Sequence, residues 1–141
     1  MESGCNMRLW HYRILLYLPT SQLLAQKREI DLIWKDLANG KKTNHILINY
    51  IWEYDDYLTE LGGYYWFLKT EFNKRGYVFK ISENFINLNG YFGYYVPFKY
   101  HHNNRYLVQC FYNLQEKYDR GQKDFTKDIF DKLYYFMEDK Q

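Results

Sequence analysis

Apolar residues recur at helical spacing in several stretches of this chain, and most of those stretches end in a recognisable stop signal. Leu23, Leu24, Ile30, Trp34 and Leu37 form the first series. Pro19-Thr20-Ser21 reads as a helix start with Thr20 or Ser21 as the cap, and Asn39-Gly40 supplies a left-handed stop. Gln22, Gln26, Glu29 and Ile33 stand three and four apart, so they form one mostly polar line that flanks the core stripe. Residues 45–52 are apolar and read as a packed connector or a short helix. The pattern predicts a second long helix over residues 54–74, with Tyr57, Leu61, Tyr64, Tyr65, Leu68 and Phe72 inward and Gly76 as its stop. Gly62-Gly63 in its middle costs about 1 kcal/mol per Gly relative to Ala. Such a pair either breaks the helix or lets another backbone come close.

From residue 77 to 100 the periodicity is lost. Gly90, Gly93 and Pro97 punctuate Tyr- and Phe-rich stretches, which predicts an irregular packed loop with room for a short hairpin. Helices resume over residues 104–118, with Leu107, Cys110, Phe111 and Leu114 inward, and over 125–137, with Ile129, Phe130, Leu133 and Phe136 inward. The expected fold class is all-α: a single compact domain over residues 7–141, built on two long helices plus C-terminal helices. Residues 1–6 are small and polar and read as an extension, with Met7 as the expected start of translation.

Composition narrows the class. A length of 141 residues suits one core, and 47% apolar residues argue against a disordered chain. The formal net charge of +2 excludes a histone-like tail, while a local basic patch for nucleic acid stays open. Tyr counts 17 and aromatic residues reach 22%, so rings beyond those a core needs are available to stack on unpaired bases. Cys5 and Cys110 lie far apart with no CxxC, and His101-His102 comes without further ligands at metal-site spacing. No disulfide framework, metal or cofactor is expected. The apolar run from Ile14 to Leu18 stops at Pro19, short of the ~20 residues that cross a bilayer, and no signal cleavage site follows. A cytoplasmic location is expected.

Motifs for a Ser-His-Asp triad, a P-loop, a GxGxxG turn and an HExxH helix are absent from the sequence. Glu29, in Gln26-Lys27-Arg28-Glu29, is the first candidate for chemistry, although in isolation it also reads as a surface carboxylate in a charged stretch.

Four segments in order carry a resemblance. They are Met7-Arg8-Leu9-Trp10, Leu23-Leu24-Ala25-Gln26-Lys27-Arg28-Glu29, Leu37-Ala38-Asn39-Gly40-Lys41-Lys42 and Phe72-Asn73-Lys74-Arg75-Gly76-Tyr77. Together they resemble the pyrimidine-dimer DNA glycosylases of the phage endonuclease V type, in a bacterial branch with an MRLW start. The resemblance implies a repair glycosylase with abasic-site lyase activity, whose N-terminal amine attacks the sugar C1′ and forms a Schiff base. On it the amine belongs to Met7, Glu29 is the catalytic acid/base, and Arg8 grips phosphate beside the lesion. Arg28, Gln22, Lys41 and Lys42 become DNA-binding residues. A basic residue usual one turn after the glutamate falls at Leu32. The implied partner is double-stranded damaged DNA, bound by a monomer with no membrane. Two other readings remain: a non-catalytic module binding distorted or single-stranded nucleic acid, and a protein-interaction domain using the Tyr-rich residues 91–100.

Overall fold

In the computed structural model, residues 7–140 are described, and the expectation of an extension at residues 1–6 lies outside them. Helix α1 (Thr20–Ala38) starts one residue past Pro19, and neither Thr20 nor Ser21 is its cap. The cap expected from those hydroxyls comes from elsewhere in space. The main-chain N–H of Ser21 donates to Asp124 Oδ2 at 2.7 Å, and its hydroxyl donates to Asp124 Oδ1 at 2.7 Å. An orphan donor of the first turn is thus met by a carboxylate from the loop before the last helix. At the other end Gly40 takes φ +80, the left-handed stop its sequence predicts.

A short 3-10 turn over Asn49–Glu53 leads into helix α2 (Tyr57–Lys74), which begins three residues later than the pattern suggested. Asp56 sets that start by accepting from the Thr59 hydroxyl at 2.7 Å and from its main-chain N–H at 3.3 Å. Gly62-Gly63 leaves α2 unbroken and serves close approach. A Cβ on Gly62 would overlap the Tyr91 carbonyl oxygen, and one on Gly63 would lie 2.5 Å from the Tyr95 carbonyl oxygen. The aromatic loop therefore lies directly on the helix backbone.

Within residues 77–100 the hairpin does not form, and a helix that the pattern missed appears instead. Helix α3 (Glu83–Leu88) is capped by Ser82, whose hydroxyl oxygen accepts from the Asn84 N–H at 3.2 Å, and Asn89 at φ 55 ends it. Its one buried ring, Phe85, packs 4.7 Å from Trp34 of α1 and 5.1 Å from Tyr65 of α2. Helices α4 (Asn104–Asp119) and α5 (Lys127–Met137) pack on each other and on a 3-10 helix at Tyr12–Tyr17. All the regular elements among the described residues are helical. No helix there is long and apolar enough to cross a membrane.

Candidate functional site

Residues 7–11 run without helix or strand partner ahead of the first 3-10 helix, yet Leu9, Trp10 and His11 are buried. Buried main-chain groups need partners, and here side chains from three helices supply them. The Gln26 side-chain nitrogen of α1 donates to the Arg8 carbonyl at 2.8 Å, and its oxygen accepts from the Trp10 N–H at 2.7 Å. The Tyr64 hydroxyl of α2 donates to the Trp10 carbonyl at 2.6 Å and lies 2.9 Å from Gln26 Oε1. The Tyr106 hydroxyl of α4 donates to the Leu9 carbonyl at 2.7 Å. Gln26, expected on a polar line beside the core, is only 1% exposed, because it does the work of a neighbouring strand.

The fixed segment forms one wall of a cleft of about 360 Å³. Arg8 and Trp10 line it from the segment, Gln22, Arg28 and Glu29 from α1, and Lys117 from the last turn of α4. The Arg8 guanidinium sits over the Trp10 ring, 5.1 Å from its centroid. Gln22 donates to the Gln122 side-chain oxygen at 3.0 Å, which ties the cleft to the α4–α5 loop.

Glu29 is the one carboxylate among the described residues that line the cleft. Its Oε1 accepts from the Gln26 side chain at 3.2 Å. Burial pushes its pKa up from 4.5 to about 7, while the Arg8 main-chain amide and the charges of Arg8, Arg28 and Lys117 pull in the other direction without prevailing. A carboxyl so poised exchanges a proton at neutral pH, which suits general acid/base work. The Lys117 ammonium is pulled down, first by burial and then by the nearby Arg8 and Arg120 charges.

The structure thus brings Arg8, Gln22, Arg28 and Glu29 together around one cleft. Met7 packs partly buried against the core, one residue before Arg8. Lys41 and Lys42 stand elsewhere, past the far end of α1, which extends about 14 Å beyond Glu29 at 1.5 Å per residue. Lys41 lies 3.7 Å from Asp36, and Lys42 covers the Trp52 and Tyr57 rings at 5.9 and 5.1 Å. The sequence analysis does not name Lys117, although it continues the inward series Leu107, Cys110, Leu114 by three residues and so falls on the inner face of α4. It shares the cleft with Leu32, the position where the resemblance leads one to expect a cation.

His102 is buried in the core, while His101 is partly exposed and lies 3.7 Å from Glu53. The Tyr54 hydroxyl pairs with His101 Nδ1 at 2.8 Å, and the Tyr50 hydroxyl with His102 Nε2 at 2.7 Å. Among the described residues no group of three or more His, Cys, Asp or Glu side chains is arranged to hold a metal ion.

Neither the curated proteins nor the solved structures contain a match to this chain. A family model described as pyrimidine dimer DNA glycosylase matches residues 7–84, more than half of the sequence. That segment holds the extended residues, the whole of α1 and α2, and every cleft residue named above except Lys117 and the Gln122 tie. The chain belongs to the pyrimidine dimer DNA glycosylase family.

Proposed function

We propose that this protein excises pyrimidine photoproducts from duplex DNA by amine catalysis at the Glu29 cleft, with abasic-site cleavage as the second step. The observation that carries the reading is Glu29 itself: a carboxyl raised by burial to about 7, and the one acid among the described cleft residues, set beside the cations of Arg8, Arg28 and Lys117. Cations grip the phosphates of a polyanion, and a single titratable acid at their centre moves protons.

The nucleophile in this reading is the α-amine of Met7, in a protein that begins there. Its nitrogen lies one residue from the Arg8 amide, at most about 3.6 Å further along the chain. The Arg8 amide in turn faces Glu29. An α-amine with a pKa of about 7.7–8.0 is partly neutral at pH 7, unlike a lysine at ~10.4. The neutral nitrogen attacks C1′ of the damaged nucleotide. The N–C1′ bond forms as the glycosidic bond breaks, and the bonding pair leaves with the base. The amine then loses a proton, its lone pair breaks the C1′–O4′ bond as the ring oxygen takes up a proton, and the product is a protonated imine. Loss of a C2′ proton expels the 3′ phosphate and nicks the strand. Glu29 stabilises the cationic sugar and relays these protons. Arg8, Arg28 and Lys117 hold phosphates beside the lesion, Gln22 contacts the same stretch, and Lys41 and Lys42 act as outer phosphate contacts.

The test is borohydride trapping on duplex DNA carrying a thymine dimer or an abasic site, with the 141-residue chain and with a chain starting at Met7. A trapped link mapped to the Met7 amine supports the reading. Binding with no trapped product from either form points instead to a non-catalytic DNA-binding protein of this fold.

A further inference from the structure

Tyr106 lies outside the segment matched by the family and outside the wall of the cleft. It nevertheless holds the segment that builds the cleft. Three successive carbonyls, those of Arg8, Leu9 and Trp10, are each met by a different side chain: Gln26 of α1, Tyr106 of α4 and Tyr64 of α2. Leu9 is fully buried, so its carbonyl has the Tyr106 hydroxyl where a solvated chain would have water.

The Tyr106 ring is itself fixed. It packs 5.0 Å from the His102 ring and stacks at 6.4 Å on His11, the residue that ends the extended segment. The Cys110 thiol, one turn along α4, lies against its hydroxyl. Burial pushes the phenol well above its ordinary pKa, so it stays a donor throughout the neutral range. The same helix brings Lys117 to the cleft eleven residues later, about 16 Å along the axis. Helix α4 therefore supplies both a cation to the site and a fixed point for the opposite wall.

We propose that Tyr106 is a positioning residue for the cleft: its hydroxyl fixes the Leu9 peptide and thereby holds Arg8, and Met7 before it, in register over Glu29. The proposal rests on the amine-catalysis reading for its effect on rate, and on the hydrogen-bond geometry alone for its effect on the segment. Tyr106→Phe keeps the ring and removes only the donor.

Two measurements on the parent chain and on Tyr106→Phe test it, and they fail separately. The first is amide hydrogen exchange at Trp10, with Ile30 of α1 and Leu68 of α2 as internal references. Trp10 exchange is expected to quicken about tenfold or more while both references hold. Unchanged Trp10 exchange overturns the proposal. Equal quickening at all three amides also overturns it, because Tyr106 would then be a general structural residue. The second, made on the chain starting at Met7 and on its Tyr106→Phe variant, is the borohydride-trapping rate at saturating abasic-site duplex, set against affinity for an uncleavable abasic analogue. The rate is expected to fall about tenfold or more while affinity stays within about threefold. A parent chain that traps DNA and a variant that traps it equally fast overturn the positioning role. A parent that traps nothing removes the amine-catalysis reading, and the Trp10 exchange then decides the role of Tyr106 alone.

Discussion

The Gln26 side-chain nitrogen donates to Glu29 Oε1 at 3.2 Å, one turn along α1, and the same nitrogen donates to the Arg8 carbonyl at 2.8 Å. One amide thus links the acid of the cleft to the segment that faces it. Its oxygen is also taken, by the Trp10 N–H and the Tyr64 hydroxyl, so each of its atoms is committed.

Gln26→Leu preserves the size of the side chain and strands the buried Trp10 N–H and the partly buried Arg8 carbonyl. Each unsatisfied buried group costs about 1–3 kcal/mol. The predicted outcome is a lower urea midpoint with an unchanged denaturant slope, together with loss of trapping. An unaltered midpoint would show that the extended segment does not depend on this amide.

Glu29→Gln is predicted to lower single-turnover excision about 100-fold or more, the scale of a lost acid/base group. Affinity for abasic duplex, read by gel shift, should change little. Normal cleavage by this variant would remove Glu29 from the mechanism.

The same variant isolates a pH effect on stability. The Glu29 pKa is raised on folding from 4.5 to about 7, so between those values the folded chain binds more protons than the unfolded one. Its stabilising contribution is complete below pH 4.5 and is lost as pH rises through 7. His11 acts with the opposite sign. Burial lowers its pKa from 6.5 to about 4, so the stability of its neutral form is lost as pH falls through that window. The stability of Glu29→Gln relative to the parent should therefore rise from pH 4.5 to pH 7, a trend thermal melts across that range would read. A flat difference would mean that Glu29 titrates normally.

Lys117→Ala should weaken DNA binding at low salt and reduce the slope of log affinity against log salt by about one phosphate contact. Affinity measured at several salt concentrations checks this. An unchanged slope would leave Lys117 without a phosphate.

Gly62→Ala sets helix propensity against packing. Propensity favours Ala by about 1 kcal/mol in a helix interior. The new methyl, however, would overlap the Tyr91 carbonyl, and overpacking of this kind costs about 1–3 kcal/mol or more. Net destabilisation is predicted, read from the denaturant midpoint. A stabilised variant would show that the aromatic loop yields easily.

The long helices were legible because period and punctuation agree. Gly40 and Gly76 both adopt the positive φ that a helix stop requires, and the inward residues of α4 are buried as their spacing demands. Helix α3 was hidden because six residues give too few turns for a period to show, and only Ser82 and Asn89 mark its ends. The site was legible in part. Arg8, Arg28 and Glu29 were carried by the family resemblance, and Gln22 with them. Glu29 standing at 4.5 or 7 is a matter of burial, which no local pattern encodes. The spacing puts Gln26 on a polar line beside the core but does not say that it is buried, because a buried amide with four partners is as polar as a solvated one. Thr20 and Ser21 carry the cap signal of α1 in the sequence, but Asp124 meets the Ser21 N–H from 103 residues away, a contact that no local pattern encodes.

The clamps on Arg8, Leu9 and Trp10 grip carbonyl and amide groups, which every residue type carries alike. They are blind to composition and sensitive to length. In a sheet, a strand that gains or loses a residue can sometimes find a new register, because its neighbour repeats. Here each partner is a single side chain fixed on a separate helix, and nothing repeats. An insertion or deletion between Arg8 and His11 would leave the clamps closing on the wrong peptides. Among relatives sharing this arrangement, the stretch should tolerate exchanges of outward-facing side chains while keeping the residue count from Arg8 to the first 3-10 helix constant.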